Sequence, residues 1–73
     1  MWENMKNRIT ELRSRYKLTQ DDLAKKLNVS RQTIISLEKE KYNPSILLAY
    51  QISQIFSLSI EEVFQFDPKG EEV

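Results

Sequence analysis

Between positions 31 and 36 the chain carries Arg31, Gln32, Thr33 and Ser36, whose donors and acceptors match the edges of DNA bases. Arginine pairs bidentately with guanine, glutamine with adenine, and serine or threonine with several groups in a major groove. At about 100° per residue, a helix over 30–39 with Ile34 and Leu37 inward presents Gln32, Ser36 and Lys39 to solvent. Arg31 and Thr33 then flank them near the N-terminus. A polar outer face is also what any solvated helix carries, so base readout follows only if neighbouring elements aim this face at a partner.

Those elements are signalled by helix starts. Thr19 is placed as an N-cap with Asp22 three residues on, and Leu18 and Leu23 bracket it as a hydrophobic staple. Ser30 repeats the device with Val29 and Ile34. Two short helices separated by so few residues must cross steeply and not run as a long hairpin, which is a helix-turn-helix arrangement and pushes the second helix outward. Met5, Ile9, Leu12 and Tyr16 recur at helical spacing, predicting a first helix from about Asn4 to Tyr16. Leu23, Ala24 and Leu27 give the inner face of the second helix. Asn43-Pro44 breaks the pattern before Ser45 starts a fourth helix with Leu48, Ala49, Ile52 and Phe56 inward. A short fifth helix begins at Ser59, where Ser-Ile-Glu-Glu is a full capping box and Leu58 and Val63 form a third staple.

The expectation is an all-α, five-helix DNA-binding domain over 1–67, with a charged, disordered tail over 68–73. Phe64-Gln65-Phe66-Asp67 alternates apolar and polar residues and predicts a short C-terminal β-strand, with Met1-Trp2-Glu3 as its expected partner. The one glycine, Gly70, lies in the tail, so helix ends must find another residue for the left-handed conformation. Asn28 is expected to adopt it. At Glu40 or Ser57 the same conformation is expected to cost roughly 1 to 2 kcal/mol.

Composition narrows the function classes. Seventy-three residues support one domain with a single small core. Cysteine and histidine are absent, which removes disulfides and most metal sites, and no cofactor or small-molecule ligand is expected. The longest apolar run, 46–50, is far short of a membrane span, and no basic leader precedes it, so a soluble cytoplasmic protein is expected. Eleven basic and eleven acidic residues cancel. Their distribution does not: residues 1–58 hold ten basic against six acidic, and 59–73 hold one against five, so a neutral chain still presents a basic region. An enzyme is disfavoured, because the paired acids Asp21-Asp22 and Glu61-Glu62 sit at helix starts and there is no glycine-rich phosphate loop.

Leu18-Thr19-Gln20, Leu23-Ala24, Val29 to Ile34, Glu38, Lys41 and Asn43-Pro44-Ser45 resemble the Cro/phage-repressor class of helix-turn-helix regulators over residues 5–64. The resemblance implies a homodimeric bacterial or phage transcriptional regulator, most simply a repressor, binding a double-stranded DNA operator. It implies base contacts by Arg31, Gln32 and Ser36. It further implies phosphate contact or support by Gln20, Ser30, Thr33, Lys39, Lys41, Tyr42 and Asn43, Gln20 bracing the start of the recognition helix. Read without the resemblance, Gln20 is simply a polar residue at a helix start. Arg13 and Glu38, on the edges of their helices' inner faces, resemble a structural ion pair joining the first and third helices. What remains of Ile60, Val63, Phe64 and Phe66 once the core is complete, together with Trp2, is the expected dimer interface, and Leu47 and Tyr50 stand off the inner face of the fourth helix. Two departures stand out. Lys39-Glu40 replaces the family's usual Asn-Gly, placing an acid near the phosphates, and Ile35 lies where it meets either a thymine methyl or helix four. The competing reading is a protein-interaction module of the same fold, such as an antitoxin or anti-repressor.

Overall fold

A computed structural model describes residues 6–65. In chain order these form β1 (Lys6–Asn7), α1 (Ile9–Arg15), α2 (Gln20–Leu27), α3 (Arg31–Glu38), α4 (Ile46–Ile55), α5 (Ile60–Val63) and β2 (Phe64–Gln65). Five helices surround one core, and the two strands pair antiparallel with Lys6 opposite Gln65 and Asn7 opposite Phe64. Ile9, Leu23, Ile34, Leu37, Ile52 and Val63 are fully buried there, with Phe56 and Phe64 nearly so. No helix among the described residues is long and apolar enough to cross a membrane.

Four hydroxyl caps start the last four helices. Thr19 and Ser59 form complete capping boxes with Asp22 and Glu62, and Ser30 and Ser45 accept from the backbone N–H of Thr33 and Leu48. The Asp22 carboxylate accepts the Thr19 N–H at 2.9 Å, which holds its pKa below the usual aspartate value. Leu18, Val29 and Leu58, the residues before three of these caps, pack against the core as staples require.

The N-terminus differs from the sequence expectation. The first helix begins at Ile9 and not near Asn4, and within the described residues the C-terminal strand pairs with Lys6–Asn7; Met1-Trp2-Glu3, its expected partner, lies outside them. Asn7 is the reason. Its side-chain Oδ1 accepts the Ile9 N–H at 3.0 Å, a local turn that competes with helix, while Arg8 N–H donates to the Val63 carbonyl at 2.9 Å. Tyr16, expected inward, is half exposed; its ring meets Phe56 edge-on and its hydroxyl donates to the Phe56 carbonyl at 3.1 Å. Val63 and Phe64, expected at a dimer interface, instead complete the core of the single chain, and Ile60 packs against that core. The expected contributions of Met5, Trp2 and Phe66, and the tail over 68–73, lie outside the described residues.

Asn28 adopts the left-handed conformation, with φ of 60°. So do Glu40 at 59° and Ser57 at 57°, together with Lys17 at 57°, which the sequence had not suggested. At all four ends the following residue's N–H reaches back to a carbonyl five residues earlier: Leu18 to Arg13, Val29 to Ala24, Lys41 to Ser36 and Leu58 to Ser53. This doubly bonded ending fixes the short connections between helices.

Candidate nucleic-acid interface

α2 and α3 are joined by only Asn28, Val29 and Ser30, and the left-handed Asn28 turns the chain sharply between them. Ile34 and Leu37 anchor α3 in the core with no exposure. Arg31 and Gln32 therefore stand exposed on its opposite side, with Thr33 and Ser36 half-buried beside them. The Gln32 side chain makes no hydrogen bond among the described residues and is open to a partner. Ile35 is also half-buried, at the side of the helix. The Thr33 and Ser30 hydroxyls lie 3.0 Å apart, so Thr33 backs the cap as well as facing outward.

Behind this surface runs a chain of polar contacts linking three helices. Arg13 on α1 donates through Nε to Glu38 Oε2 at 2.7 Å and through Nη2 to Oε1 at 3.4 Å, and its Nη1 holds the Leu18 carbonyl at 3.0 Å. Glu38 on α3 also accepts Gln20 Nε2 from α2 at 2.9 Å. Gln20 in turn presents its carbonyl oxygen to Arg31 Nη2 at 3.4 Å. The pair is mostly buried, with side-chain exposures of 18% for Arg13 and 9% for Glu38. A bidentate guanidinium–carboxylate contact of this kind is directional as well as attractive, so it fixes the rotation of α3 relative to α1 and α2. Gln20 thus touches the Arg13–Glu38 pair with its amide N–H and the exposed Arg31 with its carbonyl, which ties the start of α2 to both ends of α3.

The C-terminal end of α3 is held by Asn7, a residue that the sequence did not single out, and by its contact with Glu40. Asn7 Nδ2 donates to the Leu37 carbonyl at 2.8 Å, and Glu40 Oε2 accepts the Asn7 N–H at 3.2 Å. Glu40, the acid that departs from the family pattern, is half-buried and turned toward β1, which answers how it is accommodated next to a cationic loop. No local signal links positions 7 and 40. Lys39, Lys41, Tyr42 and Asn43 are exposed along the connection to α4, adjoining the C-terminal end of α3. No group of His, Cys, Asp or Glu able to hold a metal occurs among the described residues.

A helix-turn-helix family model matches residues 9–63, the span from the start of α1 to the end of α5. The chain is 54% identical over 63 residues to an uncharacterised HTH-type transcriptional regulator of Archaeoglobus fulgidus, covering 86% of this chain and 90% of that one. It is 36% identical over 75 residues to the immunity repressor protein of Bacillus phage phi105, covering 88% of this chain and 52% of the repressor. A solved chain from Bacteroides fragilis superposes with a TM-score of 0.75 at 21% identity, covering 84% of this chain and 98% of that one, which shows the shared fold.

Proposed function

The chain belongs to the Cro/C1-type helix-turn-helix family, and from that premise we propose that it is a cytoplasmic, sequence-specific transcriptional regulator that lays α3 in the major groove of double-stranded DNA. The observation that carries this reading is the outer face of α3: Arg31 and Gln32 are exposed on a helix whose orientation is fixed from behind by Arg13, Glu38 and Gln20. Arg31, Gln32 and Ser36 are assigned to base edges. Gln20, Ser30, Thr33, Lys39, Lys41, Tyr42 and Asn43 are assigned to phosphates or to support of the readers, and they set register without reading sequence. Repression by competition with the transcription machinery is the output we assign. The role is binding and not catalysis, in keeping with a family of regulators.

One recognition helix reads few bases, so the working unit is a two-fold dimer on two half-sites about 10 bp apart. Selection of bound sites from random DNA tests the reading, with a palindromic consensus as the expected result. Gln32→Ala is expected to cost about 1–3 kcal/mol on that consensus and to relax preference at one base position. Lys41→Ala is expected to weaken binding on every sequence and to lower the salt slope by about one. Glu40→Gln keeps an acceptor for the Asn7 N–H while removing a negative charge, so it is expected to tighten binding modestly on all sequences, by an amount that shrinks as salt rises. Equal losses on random and selected DNA after Gln32→Ala defeat base readout. An antitoxin or anti-repressor role replaces it if Arg31, Gln32 and Ser36 all tolerate alanine without loss of function.

A further inference from the structure

Among the five described helices α4 alone carries no charged residue. α1 has Glu11, Arg13 and Arg15; α2 has two acids and two lysines; α3 has Arg31 and Glu38; α5 has Glu61 and Glu62. α4 nonetheless leaves Ile46, Leu47 and Tyr50 at 76%, 62% and 52% exposure. Spacings of three and four residues put these side chains in one stripe. The fold does not need them, because Leu48, Ala49, Ile52 and Ser53 already supply the buried face of the same helix. Single exposed apolar side chains are ordinary, but three together on an uncharged face form a patch of the kind that marks an interaction surface.

We infer that this stripe is where two copies of the chain meet, α4 against α4 around a two-fold axis. The proposal rests on the two-fold operator reading above and names the surface that makes it possible. In a two-fold interface each residue near the axis faces its own copy, so any charge there meets a like charge. Every other helix would impose that repulsion. α4 escapes it, and the exposed Gln51 and Gln54 along it both donate and accept, so each can pair with its twin. Depletion of charge with a tyrosine at the centre is also the composition of interface cores. A different protein would find no charge on this face to set its orientation. The placement suits the task, since Ile46 and Leu47 begin α4 at the end of the connection from α3, and pairing there holds the two reading helices at a fixed spacing.

Sedimentation of the full chain without DNA tests the surface independently of base readout. The wild-type chain is expected to be dimeric at micromolar concentration. Leu47→Glu with Tyr50→Glu is expected to raise the dissociation constant at least about 100-fold, a change typical of losing a central anchor, with the helical circular dichroism unchanged. Leu47→Glu and Leu47→Lys, each weakened alone, are expected to re-associate when mixed, a recovery that misfolding cannot give. A dimer that survives the double glutamate variant overturns the inference, as does a wild-type chain that stays monomeric to about 0.1 mM. If the double variant is monomeric yet still selects a half-site sequence, the surface and the base reading both stand. If it is monomeric and the wild-type dimer selects no sequence, only the base reading falls.

Discussion

Glu38→Ala is expected to lower the stability of the domain by about 3 kcal/mol and to weaken operator binding beyond what that loss explains. The carboxylate is 9% exposed and accepts from both Arg13 and Gln20, so its removal strands a mostly buried guanidinium and releases the Gln20 amide. Removing one partner of a buried pair typically costs about 3–5 kcal/mol. The lower end applies here, because Arg13 keeps its bond to the Leu18 carbonyl and retains some access to water. For a domain of this size that loss corresponds to roughly 12–24 °C in melting temperature. Thermal and urea unfolding measure it, and a double-mutant cycle with Arg13→Ala must then show strong coupling. Absence of coupling defeats the ion pair as the link between α1 and α3.

The two consequences of Glu38 separate in a second variant. Replacing both Arg13 and Glu38 by apolar residues of similar size is expected to recover much of the stability, since a buried pair is often no better than a well-packed apolar one. DNA affinity is expected to stay low in that variant. Gln20 would still lack its acceptor, and nothing would fix the amide whose carbonyl faces Arg31. Recovery of stability and affinity together would show that the network acts only through folding, leaving Gln20 no bracing role.

What the sequence disclosed and what it hid divide by distance along the chain. Caps at Thr19, Ser30, Ser45 and Ser59 are local chemistry, each decided within four residues, and all four are present. The outward face of α3 followed equally from the spacing of Ile34 and Leu37. Asn7 and Glu40 meet across 33 positions, and neither residue type announces the other. The start of α1 was obscured because Met5 and Ile9 fit a helical period that Asn7 interrupts by binding the Ile9 N–H. At the C-terminus, α5 is only four residues long, too short for its period to separate core from surface. Val63 and Phe64 therefore read as available apolar area although both complete the core. Arg13 and Glu38 were suggested by family resemblance, whereas the third member, Gln20, joins them only in three dimensions.

Glycine, usually a destabilising residue, is expected to stabilise this domain at Lys17 and Ser57. Both residues close a helix in the left-handed conformation, with φ of 57° at each, and neither carries the Asn side chain that tolerates it. Their N–H groups still donate to the carbonyls of Ser14 and Gln54, so the ending is kept by its hydrogen bonds and by the packing of Leu18 and Leu58 after it. Relief of the Cβ strain, about 1–2 kcal/mol, is partly offset by the extra entropy of glycine in the unfolded chain. About 1 kcal/mol per site should remain, raising the melting temperature of Lys17→Gly/Ser57→Gly by roughly 10 °C. Asn28→Gly serves as the internal standard, because asparagine already suits φ of 60° and little should change. Urea midpoints must rise while the denaturant slope stays constant, since the surface exposed on unfolding is the same. Ser57 takes no part in the proposed DNA face, so Ser57→Gly must also leave operator affinity unchanged. A midpoint that does not rise in Ser57→Gly means that the left-handed endings carry no strain to release, and that Leu58 docking alone decides where α4 stops.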